Sequence, residues 1–155
     1  MLLVPGLGST WQSWDPILGA LADEREVIAV DLPGFGATPP LPGEVSIATL
    51  CDAVAAFIEE QGLAGIDLVG AAPSFDAALD ALVDGPLQQG APSGSTPGPV
   101  VIGWSRNDRV TLPSQVERVS RLFPDAQLHW FDHCGHFPQW DAPEATIRLI
   151  LANTA

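Results

Sequence analysis

Apolar residues in this chain follow two rhythms. Short segments rich in apolar residues, most of them ended by Pro, Gly or Asp, read as strands at Leu2–Val4, Glu26–Val30, Ile66–Val69, Val100–Trp104 and Gln127–Phe131. Between them the spacing changes to the i, i+3, i+4, i+7 pattern of amphipathic helices. Trp14–Ala22 is one such segment, with Asp15 placed to cap it and Pro16 suited to a first turn where its missing N–H costs nothing. Ser46 precedes a clear apolar face made of Ile47, Leu50, Cys51, Val54, Phe57 and Ile58, and Gly62 ends it. Ser74 is placed to cap a helix over Phe75–Val83. Pro113–Phe123 carries Val116, Val119, Ser120 and Phe123 on one side, and Asp141 and Pro143 open a last helix containing Ile147, Leu149, Ile150 and Leu151. Strands alternating with helices predict an α/β domain with a parallel sheet covered on both faces.

The 155 residues suffice for one domain with a real core, and no internal repeat divides residues 1–155. Gly85–Gly98, rich in Gly, Pro, Ser and Gln, reads as a flexible connection. A net charge of −13 disfavours nucleic acid and anionic membrane as partners, since both require a basic face. The acids are scattered, as on a solvated surface. No apolar run approaches the ~18 residues of a membrane span. Met1–Val4 meets Pro5-Gly6 at once and reads as a strand, not an export signal, which favours a cytoplasmic location. Two cysteines, Cys51 and Cys134, make no disulfide framework, and no Cys/His spacing suggests a metal site or a cofactor. Cys51 is expected in the core. The five tryptophans, Trp11, Trp14, Trp104, Trp130 and Trp140, are expected to build core and pocket walls.

Four segments in order carry a resemblance to a known family. Leu2-Leu3-Val4-Pro5-Gly6-Leu7-Gly8-Ser9, followed by Trp11 and Trp14, resembles a strand, a glycine-rich loop and a helix entry. Asp31-Leu32-Pro33-Gly34-Phe35-Gly36 matches a D-x-x-G-x-G turn. Ile102–Asp108 resembles a strand and the turn holding a triad acid, and Cys134-Gly135-His136-Phe137-Pro138 a G-H turn with the triad histidine. Together they resemble the α/β-hydrolase superfamily, esterase- or lipase-like. The resemblance implies a doubly wound, mostly parallel sheet, a carboxylic-ester or related acyl substrate, and His136 as base oriented by Asp108. It also implies an oxyanion site at the backbone N–H groups of Leu7 and Gly8, although a strand-to-helix turn would use the same glycines.

The chain departs from the family pattern in three ways. Pro5 replaces the histidine before Gly6. The chain opens at what would be the family's third strand. Only about 30 residues separate the third and fourth strands, where the family holds a G-x-S-x-G elbow, a further strand and a cap. The corresponding residues here are Gly70-Ala71-Ala72-Pro73-Ser74: Ala72 stands at the serine position, and Pro73 lacks the N–H of the second oxyanion donor. This reads as an internal deletion, which would bring the sheet to the order 2-1-3-4-5, a known stable doubly wound arrangement.

Two functions follow. One is a lid-less hydrolase of small esters, using His136, Asp108 and either water or Ser74, the nearest hydroxyl, as nucleophile. The other is a catalytically dead scaffold that binds a small molecule or self-associates. Ser74 suits a helix cap better than a nucleophile, Cys134 suits packing, and His129 and His133 suit strand-end surface positions. Loss of strands and cap would expose apolar surface, which predicts a homodimer.

Overall fold

The computed structural model describes residues 1–43, 45–71 and 98–155. Ser74, the helix expected over Phe75–Val83 and residues 85–97 of the connection lie outside the described residues. The described residues form two compact units, residues 1–71 with 154–155 and residues 98–153.

In the first unit, β1 (Leu2–Val4) lies between β2 (Ile28–Ala29) and β3 (Leu68–Gly70), all parallel. Leu2 pairs with both Ile28 and Leu68. A central parallel strand is covered on both faces, so it needs apolar residues at consecutive positions; Leu2 and Leu3 are both fully buried. β2 is shorter than its apolar run, but Val30 N–H still donates to the Leu3 carbonyl at 3.2 Å.

A 3-10 turn, Trp11–Trp14, runs into α1 (Asp15–Ala22), which buries Ile17 and Leu21. Asp15 is not the cap expected of it. Trp14 holds the cap position without a side-chain bond, because the 3-10 turn already supplies the preceding helical turn. Asp15 sits instead in the first turn, where its charge meets the positive end of the helix dipole.

α2 (Ile47–Glu60) begins with a reciprocal capping box: Thr49 N–H donates to Ser46 Oγ at 3.1 Å, and Ser46 N–H donates to Thr49 Oγ1 at 2.9 Å. Its buried residue is Leu50, with Ile47, Val54, Phe57 and Ile58 half-buried beside it. Cys51 is exposed, contrary to expectation. It lies one residue, and so about 100° of helix rotation, from Leu50, at the margin of the stripe.

In the second unit, β4 (Val101–Ser105) and β5 (Gln127–Phe131) run parallel in a five-residue register from Val101 opposite Gln127 to Ser105 opposite Phe131. A Cβ at Gly103 would meet the Phe131 ring at 2.8 Å and Leu149 at 3.3 Å, so glycine permits this close approach. After a 3-10 turn at Pro113–Gln115 comes α3 (Val116–Leu122). α4 (Pro138–Asp141) and α5 (Pro143–Ala152) close the unit. Asp141 does not cap α5; Ala142 holds that position, and the Asp141 carboxylate turns back to accept from Gly135 N–H at 2.8 Å. Trp14 is buried as expected, whereas Trp11 and Trp140 are exposed.

Parallel strands with intervening helices make this an α/β protein, with strand order 2-1-3 in one unit and 4-5 in the other. Among the described residues no helix is long and apolar enough to cross a membrane.

Candidate active site

The two strands of the second unit end side by side, so the turns after them leave from the same edge. In parallel sheets such carboxyl-terminal edges are where ligands bind. Arg106 N–H extends the ladder to the Phe131 carbonyl at 3.0 Å, and Asp108 N–H closes a turn onto the Ser105 carbonyl at 3.3 Å. The turn after β5 passes through His133, whose φ of 55° is the only left-handed value of a non-glycine among the described residues. The Gly135–Asp141 bond then anchors that turn to α4.

These turns bring His136 against Asp108. Nδ1 of the imidazole lies 2.9 Å from Asp108 Oδ2, with only 7% and 5% of the two side chains exposed. Asp108 Oδ1 accepts from Val110 N–H at 2.8 Å and Thr111 N–H at 3.0 Å, and Oδ2 also accepts from the Thr111 hydroxyl. Phe137 packs edge-on to the imidazole, with centroids 4.9 Å apart.

The carboxylate partner assigns the Nδ1 proton and makes Nε2 the basic nitrogen. Burial alone would raise the Asp108 pKa. The hydrogen bonds from Thr111 and His136 and from the two backbone N–H groups together outweigh burial and hold it below the ordinary carboxylate value. Asp108 therefore stays ionised beside the histidine.

Cys134 is fully buried and accepts from Ser105 Oγ at 3.3 Å. Burial raises its pKa, and the charges of Asp141 and Asp108 add to this against the Ser105 bond. Such a thiol is a poor nucleophile. His129 and His133 are exposed, as expected. Among the described residues no three His, Cys, Asp or Glu side chains gather as metal ligands.

In the first unit, β1 leads through buried Pro5 and Gly6 to Leu7 and Gly8. Ser9 N–H closes the loop onto the Gly6 carbonyl at 3.0 Å, and Gly8 has φ 81°. The Asp31 carboxylate fixes the segment that follows, accepting from Trp11 N–H at 2.7 Å and Ala37 N–H at 3.0 Å. Gly36, at φ 53°, lies so close to that carboxylate that any Cβ would collide with it. The D-x-x-G-x-G spacing thus encodes a carboxylate that ties two loops together and the glycine that makes room for it.

The structure brings His136 and Asp108 together, places Leu7 and Gly8 on the β1 loop, and leaves Ser74 outside the described residues. Reading the sequence missed Thr111 and Ser105. The signal for Thr111 was the short Asp108-Arg109-Val110-Thr111 stretch, in which an aspartate collects the N–H groups two and three residues on.

Known proteins resemble this chain in sequence and in fold. The sequence profile of the Alpha/beta hydrolase family matches residues 1–72. The chain is 32% identical over 136 residues to the dihydrolipoyllysine-residue acetyltransferase component of an acetoin cleaving system from Cupriavidus necator, covering 83% of this chain and 36% of that protein. It is 44% identical over 52 residues to a 2-hydroxy-6-oxo-6-phenylhexa-2,4-dienoate hydrolase of Burkholderia cepacia, covering 33% of this chain and 18% of that enzyme. The matches thus span well under half the length of these curated relatives. Among solved structures, a bacterial membrane phospholipase A superposes with a TM-score of 0.83 at 17% identity, covering 97% of this chain and 76% of that one. A thermophilic esterase from Thermogutta terrifontis gives 0.74 at 18% identity, covering 97% and 87%. At these identities the structural likeness establishes the fold.

Proposed function

We propose that this chain, whose first 72 residues match the Alpha/beta hydrolase family, descends from hydrolases of carboxylic esters or related acyl substrates, with weak or absent turnover of its own. One observation carries this reading: the buried His136–Asp108 pair, 2.9 Å from Nδ1 to Oδ2. The hydrolases among its curated relatives support the hydrolytic ancestry. In the proposed chemistry Asp108 holds the imidazole in the Nδ1–H tautomer. Nε2 then takes a proton from water, or from Ser74, as that oxygen attacks an activated ester.

The weakness of turnover follows from the sequence. Ala72 stands at the nucleophile position and Pro73 offers no N–H after it. Where a triad member is removed, binding and the oxyanion site alone leave roughly 10³- to 10⁴-fold acceleration over water.

Hydrolysis of p-nitrophenyl acetate and butyrate by the native protein, His136→Ala, Asp108→Ala and Ser74→Ala tests the reading. Slow turnover that disappears with His136→Ala and falls with Asp108→Ala supports it, and the Ser74 variant decides between serine and water. Rates equal to free imidazole in every variant overturn it. They favour the second reading, a scaffold that binds a small molecule or pairs with a copy of itself. The exposed strand residues Leu68 and Leu128 support that alternative, and sedimentation at high concentration measures the pairing.

A further inference from the structure

The Asp108 carboxylate carries four donors on its two oxygens. Oδ1 takes the N–H groups of Val110 and Thr111, and Oδ2 takes the Thr111 hydroxyl and the imidazole. Four is about the full lone-pair capacity of a carboxylate. Thr111 Oγ1 lies 3.5 Å from His136 Nδ1, so the hydroxyl and the ring nitrogen flank the same oxygen. Thr111 is itself fixed at two further points: its N–H is bound to Oδ1, and its carbonyl accepts the Trp104 indole N–H at 3.1 Å.

We propose that Thr111 is a positioning residue for His136: its hydroxyl locks the plane of the Asp108 carboxylate and shares with the imidazole the one oxygen that orients it. Whether the oriented imidazole acts as a base rests on the function proposed above; the positioning itself does not. The backbone donors hold one oxygen of the carboxylate, and the Thr111 hydroxyl adds a second anchor on the oxygen that the imidazole shares. It also draws charge away from the oxygen facing Nδ1, which moderates the attraction between acid and base.

Among the described residues, the ionisable groups on the turns that carry the imidazole and its acid include Asp108 after β4, Cys134 on the imidazole's own turn, and Asp141 from α4. Of these Asp108 alone faces Nδ1 at bonding distance, and Cys134 senses both carboxylates. Asp141 is committed to Gly135 N–H. A change at Thr111 is therefore read through Asp108.

The experiment titrates carboxyl-¹³C-labelled aspartates by NMR in the native protein, Thr111→Val and Thr111→Ser, with Asp108→Asn assigning the resonance. Thr111→Val keeps the shape and removes the hydroxyl. It moves the Asp108 midpoint up by about 0.5 to 1 pH unit, the equivalent of one lost hydrogen bond. Thr111→Ser restores the hydroxyl and leaves the midpoint at its native value. The low-field imidazole Nδ1–H proton signal persists in Thr111→Ser and broadens into exchange in Thr111→Val. An Asp108 midpoint unmoved by Thr111→Val overturns the proposal, as does a Thr111→Ser midpoint that follows the valine variant. If Thr111→Val does not fold, Thr111→Ala gives the same carboxyl readout. Ester hydrolysis equal to free imidazole, with the Asp108 midpoint shifted as expected, sinks the proposed function and leaves the role of Thr111 standing.

Discussion

Ser105 and Cys134 are joined by a buried hydrogen bond, 3.3 Å from Oγ to Sγ, between the end of β4 and the turn after β5. Asp108 and His136 bridge the same two turns a few residues further on, and Arg106 and Asp132 bridge them at the surface, where Arg106 also covers the Trp130 ring. The inner two bridges hold the site. The outer one is exposed and adds little to stability.

The setting of Cys134 fixes its reactivity. Its thiol is sealed and its pKa raised, whereas Cys51 is exposed on α2. Ellman's reagent at pH 8 is expected to modify one thiol per native chain quickly and the second only in denaturant, with Cys51→Ser abolishing the fast phase. Two fast thiols in the native protein would contradict a closed turn at residues 132–136.

Gly36 and Gly62 both have left-handed backbones, at φ 53° and 63°, but their surroundings differ. A Cβ at Gly62 meets open space, and one at Gly36 meets the Asp31 carboxylate. Gly62→Ala is expected to cost about 1 kcal/mol from backbone strain alone. Gly36→Ala must also displace a carboxylate that holds two loops, and is expected to cost about 2 to 4 kcal/mol. Urea denaturation of the two variants beside the native protein checks the order. Equal costs would mean that Asp31 does not fix the loop at residues 31–37.

The start of α2 was legible because its physics is local. Ser46 and Thr49 lie three apart and satisfy one another's backbone groups with no help from the rest of the chain. Ser46→Ala is expected to destabilise the chain by about 1 kcal/mol, read as a lower urea midpoint with unchanged slope. A midpoint at the native value would show that packing of Leu50, not the cap, sets this helix boundary.

Other features followed the same division between local and tertiary physics. β5 occupies the predicted residues, because it pairs with β4 along its whole length and Asp132 ends it. β2 shrank to Ile28–Ala29, since the central strand β1 offers only three residues to pair with. Asp141 looked like a helix cap and became the acceptor for Gly135, a tertiary choice invisible in a window around Pro143. The approach of His136 to Asp108 was readable only through resemblance, because the residues are 28 apart and nothing local joins them. The hydroxyl of Thr111 was not readable at all, since its value depends on a carboxylate already turned to meet it.

The same carboxylate sets the last prediction, the acid sensitivity of the fold. Hydrogen bonds hold Asp108 below the ordinary carboxylate value although burial opposes them. As pH falls, the unfolded chain binds this proton first, near an ordinary value of about 3.9. The native state resists until its own lower value is reached. The contribution of Asp108 is therefore fully present above about pH 5 and is lost as pH drops from the ordinary value through the depressed one. The other acidic side chains titrate in the same range, so the comparison must be a difference. Urea midpoints of the native protein and Asp108→Asn, measured from pH 2 to pH 6, isolate it. The variant is expected to be less stable by a constant margin above about pH 5, and the margin is expected to shrink as pH falls below about 4. A margin independent of pH would mean that Asp108 has the same proton affinity folded and unfolded, and that its hydrogen bonds to Thr111 and His136 do no more than offset its burial.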